Sequence, residues 1–156
     1  MMMDGCYLLS KIHPQIRSIP LDRVEITQGA FRLLRILAFT GKYSIGLIGG
    51  DINTSTGRIT IQWVEPVKNS DIVPDHPEWS DYYQKVRELE AEGHRILGEF
   101  HIPKPNTPVT NRHLKNLKYN WISGRPLIHL TITNKHIIAS TYNGSDYHQK
   151  KLRPRR

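Results

Sequence analysis

The chain has very little cysteine: Cys6 is the single one in 156 residues. That excludes an internal disulfide and any cysteine-rich zinc site. No apolar run approaches the ~20 residues that a membrane-spanning helix needs. The opening MMMDGCYLLSKIHPQ has a short apolar patch and no basic segment ahead of it, so no secretory leader is expected. Cytoplasmic residence is the matching expectation. No serine lies in a G-x-S-x-G elbow, and Cys6 has no His-Asn pairing visible in the sequence, which argues against a nucleophilic hydrolase.

What the chain does have fits one globular domain. Charged residues make up 23% and hydrophobic ones 38%, a balance that can fill a core without a second domain. The net charge is +8, but it is unevenly placed. Lys150, Lys151, Arg153, Arg155 and Arg156 crowd the last residues, and without those five charges the rest carries +3. A basic tail of this kind is expected to be disordered over 146–156, and it could touch nucleic acid or an acidic surface.

In chain order, residues 1–20 carry Pro14 and Pro20 with no sustained period and read as an irregular arm. Residues 21–26 (LDRVEI) alternate as a half-buried strand does. Thr27 caps a helix over 28–39, with Phe31, Leu34, Ile36, Leu37 and Ala38 apolar, Arg32 and Arg35 on the wet side, and Gly41 as the stop. Residues 43–52 form a glycine-rich buried strand. Its Gly46, Gly49 and Gly50 have the wrong spacing for a phosphate loop, and no Lys-Ser/Thr follows.

Residues 58–67 alternate, with Ile59, Ile61, Trp63 and Glu65 on one side, so 43–67 reads as a hairpin with a short loop. Asp75, Pro77 and Glu78 start a second helix, whose Trp79, Tyr82, Tyr83, Val86 and Leu89 recur at core spacing. Two apolar strands over 126–133 and 135–142 form another hairpin about Asn134.

The most informative stretch is 93–117, GHRILGEFHIPKPNTPVTNRHLKNL. It reads as a strand ending at His101, a stiff loop with Pro103, Pro105 and Pro108, and a short helix capped by Thr110. Glu99 lies two residues before His101, hence on the same strand face, and His94 falls on the opposite one. Arg112, Lys115 and Lys118 make the short helix basic.

This order and these residues resemble the MPN domain family (JAB1/MPN/Mov34, JAMM) from about residue 24 to 142. VEITQGAFRLLRILAFTGKYSIGLIGG resembles its opening strand, helix and second strand. RITIQWVEPVKN resembles the third strand, and GHRILGEFH the strand that leads into its metal site. The resemblance implies an α/β (α+β mixed) single domain over 21–145, an MPN/cytidine-deaminase-like mixed sheet with flanking helices.

Active members of the family are zinc hydrolases, many of which cut isopeptide bonds to ubiquitin-like proteins. Their pattern is a glutamate, then H-x-H, seven residues, and S-x-x-D. The histidines and aspartate hold zinc with one position open, the glutamate takes a proton from water, and the serine steadies the oxyanion. Here Tyr43 stands at the glutamate position, and His101 matches the first histidine. Pro103, Asn111 and Leu114 occupy the second histidine, serine and aspartate positions. A one-residue shift places Thr110 and His113 at the last two.

The resemblance therefore implies a pseudoenzyme with no cofactor that binds a protein partner, such as another MPN-like domain, a ubiquitin-like protein or a second copy of itself. The alternatives are a zinc-dependent isopeptidase or metalloprotease rebuilt on His101, His113, Glu99 and Thr110, and a nucleic-acid binder that uses the basic residues.

Overall fold

A computed structural model describes residues 21–40, 45–67, 79–103, 128–133, 135–142 and 145–155, with the backbone alone for 79–83. After a 3-10 turn (Leu21–Arg23), the elements are β1 (Val24–Ile26), α1 (Gln28–Thr40), β2 (Ile45–Asn53), β3 (Arg58–Pro66), α2 (Trp79–Ala91), β4 (Ile96–His101), β5 (Ile128–Ile132), β6 (Ile137–Tyr142) and β7 (Tyr147–Leu152). The strands form one seven-stranded mixed sheet in the order β1-β3-β2-β4-β5-β6-β7. β1 runs parallel to β3 and β4 parallel to β5, while the other neighbours are antiparallel. The mixed α/β class expected from the sequence is the one observed.

α1 starts where Thr27 Oγ1 accepts the Ala30 N–H at 3.2 Å, which satisfies one of the open donors of its first turn. It turns Ala30, Leu34 and Leu37 into the main core, on the inner face of the sheet, with Val24, Ile26, Ile59, Ile61, Phe100, Ile128, Leu130 and Ile132. Ile36, read from the sequence among the helix's apolar set, points to solvent at 57% exposure. α2 covers part of the outer face, where Val86 and Leu89 meet Leu47, Val67 and Ile96, with Ile45 and Trp63 beside them.

Two bulges separate these layers from a simple alternation. Gly49 pairs with Trp63 but Gly50 with Ile61, which leaves Gln62 as an extra residue on β3. Ile48 pairs with Gly98 but Gly49 with Ile96, which leaves Leu97 extra on β4. A bulge shifts the two-residue period by one. Ile59 and Ile61 therefore face the inner core while Trp63 faces out, not on one side together. His94, read as opposite to Glu99 and His101, lies before the strand and sets its ring edge-on to Trp63 at 5.7 Å, on the outer side. Gly98 is needed where β4 and β5 come closest, since a Cβ there would collide with the Ile128 carbonyl.

Two further expectations change. Only the second half of 21–26 is strand, because the first half winds into the 3-10 turn. The C-terminal residues are not a loose tail. Residues 147–152 pair along the whole of β6, Leu152 is buried, Pro154 bridges Ile26, and the Arg155 N–H donates to Ile26 O at 2.8 Å. The domain therefore extends past residue 145, and the sheet curls until its two edge strands are tied together. Charge does not prevent this, because edge pairing uses backbone groups and leaves the Lys and Arg heads in water.

Candidate functional site

The expected metal strand is β4, and its alternation decides what reaches the site. Phe100 turns inward, so Glu99 and His101 turn outward, opposite Leu47 and Ile45 of β2. On β5, Ile128, Leu130 and Ile132 face inward and His129 and Thr131 outward. The register then builds two outer rows. One runs Glu99, His129, Ser140, Gln149; the other runs His101, Thr131, Ile138, Lys151.

Most of this outer patch is out of water. His129, Thr131 and Ser140 are buried, and Glu99 and His101 are half-buried. His129 Nδ1 lies 3.3 Å from Glu99 Oε1. An ionised carboxylate can only accept, so the ring nitrogen donates and the carboxylate fixes the imidazole's tautomer. The His101 and His129 rings sit 6.4 Å apart between centroids, and Gln149 Nε2 donates to Ser140 Oγ at 3.3 Å. The arrangement can orient an imidazole and fix which of its nitrogens carries the proton.

Glu99 and His101 share a face, as their spacing predicts. Pro103 lies two residues past the strand end, half-buried, and offers no ligand atom. Tyr43, Thr110, Asn111, Arg112, His113, Leu114, Lys115, Lys118 and Arg156 lie outside the described residues. Among the described residues, no three His, Cys, Asp or Glu side chains are placed to hold a metal ion. The proton-bearing partner that sequence reasoning missed is His129. Its signal was a histidine at an alternate position of an otherwise apolar strand, IHLTI.

The basic C-terminal side chains differ in what they reach. Lys150 Nζ donates to Leu21 O at 3.3 Å, and Arg155 Nε approaches Glu25 Oε2 at 3.8 Å, beside the Arg58–Glu25 ion pair. These two cations brace the fold. Lys151 and Arg153 are exposed. On the outer face of the same edge the Tyr142 and Tyr147 rings lie 4.8 Å apart. Partial burial, and then the neighbouring Tyr142, raise the Tyr147 phenol above its ordinary value of 10.0.

Fold and site define a mixed α+β domain with a single curled sheet, one helix inside the curl and one on its outer face. No family model and no curated protein matches the chain. Solved structures do match. One is a protein of Desulfitobacterium hafniense determined in solution, 17% identical, covering 85% of this chain and 92% of its own, at a TM-score of 0.59. Another, from Salinibacter ruber, is 13% identical, covers 84% of this chain and 91% of its own, and has a TM-score of 0.53. At such identities the likeness is one of fold. No helix among the described residues is long and apolar enough to cross a membrane.

Proposed function

We propose that this chain is a non-catalytic domain of the MPN type that works in the cytoplasm by holding another protein. The observation that carries the reading is the outer face of α1. Leu33, Ile36 and Phe39 stand at three-residue spacing and are 41%, 57% and 93% exposed. Such a stripe on one helix face suits a partner helix laid along it. Arg32 is exposed beside the stripe, and α1 contains no acidic residue. The complementary occupant is an amphipathic helix of a different protein with Asp or Glu on its rim. A second copy fits less well, since two α1 helices would bring like charges together. Pro103 at a ligand position, and Glu99 engaged with His129, support the loss of hydrolysis.

The test uses labelled amphipathic peptides whose Leu/Ile face is flanked by Glu or by Lys. Glu-flanked peptides should bind, and Phe39→Ser should weaken them about thirtyfold, the size of a binding hot spot, without lowering the melting temperature. Equal binding of both peptide sets overturns the docking surface. A dimer in the ultracentrifuge that Phe39→Ser dissociates assigns the face to a second copy instead. Zinc at one per chain, lost on His101→Ala, overturns the non-catalytic half.

A further inference from the structure

A second surface, away from α1 and at the exposed end of the outer rows on β6 and β7, carries its own assignment. β7 is an edge strand with Tyr147, Gln149 and Lys151 on its outer face. Tyr147 is 37% exposed and packs on Tyr142, which holds its ring in place. Lys151 is exposed on the same face, and Arg153 is exposed just beyond the strand end. The other two described cations of this segment reach Leu21 and Glu25, while Lys151 is turned outward by strand alternation and Arg153 is exposed two residues on. One acidic group, Asp146, lies in the turn before the strand.

We propose that this outer edge of β6 and β7 binds single-stranded nucleic acid, with Tyr147 stacking on a base and Lys151 and Arg153 meeting phosphates. The chemistry fits each part. An exposed aromatic ring on a sheet offers a π-face to any base, and that contact is open only when the base is unpaired. Gln149, between the ring and the cation, presents an amide that can both donate and accept. Tyr147 and Lys151 are four residues apart on one strand, about 13 Å. That is the length of about four stacked nucleotides at ~3.4 Å each. An acidic protein segment would use the two cations but would leave the ring without a role.

The experiment measures anisotropy of fluorescein-labelled oligo-dU and oligo-U of about twenty nucleotides, and of a duplex of equal length, on the full chain. Both single strands should bind more tightly than the duplex, and the difference between the two reports whether a 2′-hydroxyl contributes. Two phosphate contacts set a slope of log affinity against log salt near −1.4, falling to about −0.7 in Lys151→Ala. Tyr147→Ala should weaken single-strand binding about tenfold and Tyr147→Phe should restore it, because stacking needs the ring and not the hydroxyl. The proposal is overturned if the duplex binds as well, or if Tyr147→Ala changes nothing. It is also overturned if a polyglutamate competitor of equal charge displaces the oligonucleotide from wild type and Tyr147→Ala alike, since the surface is then charge alone. These readouts do not involve α1, so they stand or fall apart from the protein-docking reading.

Discussion

The inner and outer faces of β5 are both buried, and they are built from opposite chemistry. Inward, Ile128, Leu130 and Ile132 join a continuous apolar core with Phe100 and α1. Outward, His129 and Thr131 are shielded just as fully, 2% and 4% exposed, yet they are polar. The inner face is held by apolar area removed from water, which needs volume and close packing but no particular partner. At His129 the outer face is held by its contact with Glu99, because a buried polar group costs free energy unless a hydrogen bond meets it. Burial alone therefore does not say what a substitution will do. The two faces should fail in different ways.

The largest effect is expected where the strands that carry both faces meet. Gly98 pairs with Ile128, and an added Cβ meets the Ile128 backbone rather than a flexible side chain. Backbone cannot move aside without shifting β5 and both of its faces. Gly98→Ala should cost at least ~4 kcal/mol, a large part of a domain's usual ~5–15 kcal/mol. Chemical denaturation of an expressed Gly98→Ala chain with near-native stability would mean that β4 and β5 are not packed this closely.

The next effect separates the faces within one strand. On β7, Leu152 enters the inner core and Lys151 stands outside. Leu152→Ala should cost about 2–5 kcal/mol as a cavity-forming change. Lys151→Ala should stay within ~0.5 kcal/mol. If both variants melt with the wild type, residues 147–152 are not part of the cooperative unit.

β7 also shows where the sequence could and could not be read. Thr27 as a cap, the β2–β3 and β5–β6 hairpins, and Val86 and Leu89 as core positions of α2 were all legible, because capping and periodicity act locally. YHQKKL looked like a tail because its composition is polar and basic. Its order comes from backbone pairing to β6, to which side-chain composition contributes little. Trp63 was placed on the wrong face because the unpaired Gln62 resets the period, and a bulge leaves only weak marks in sequence. Ile36 looked like core because α1 is apolar on more than one side. The Glu99–His129 pair joins strands 30 residues apart in the chain, so no spacing rule could reach it. Glu99 and His101 on one face followed from counting by two.

That pair gives the third test. Glu99→Gln and His129→Leu should each cost about 1–3 kcal/mol, since each leaves a shielded polar partner poorly met. The double variant should cost less than the sum, with a coupling of about 0.5–3 kcal/mol in urea titrations. Strict additivity would mean that the outer face is held by volume, as the inner one is, and the contrast between them would collapse.

The smallest effect lies at the wet margin of the outer face. Lys85 of α2 reaches Glu65 of β3 at 3.1 Å and Glu88 at 3.8 Å. The hydrogen bond to Glu65, and then its charge, raise the Lys85 amine above 10.5. A raised amine stabilises the fold fully below its unfolded value, and that contribution fades as pH rises through the higher folded value. Both side chains are about one-third exposed, so solvent screening limits the pair to ~0.2–1 kcal/mol. Lys85→Met should lower stability by that small amount at neutral pH and by nothing once the pH is well above 10.5. It should also lose part of the deficit in high salt, while the Leu152→Ala deficit persists, because screening acts on charges in water and not on apolar volume. A Lys85→Met deficit that ignores both salt and pH would show that the Lys85–Glu65 charge pair is not what holds this margin, since methionine keeps the apolar stem and removes the charge.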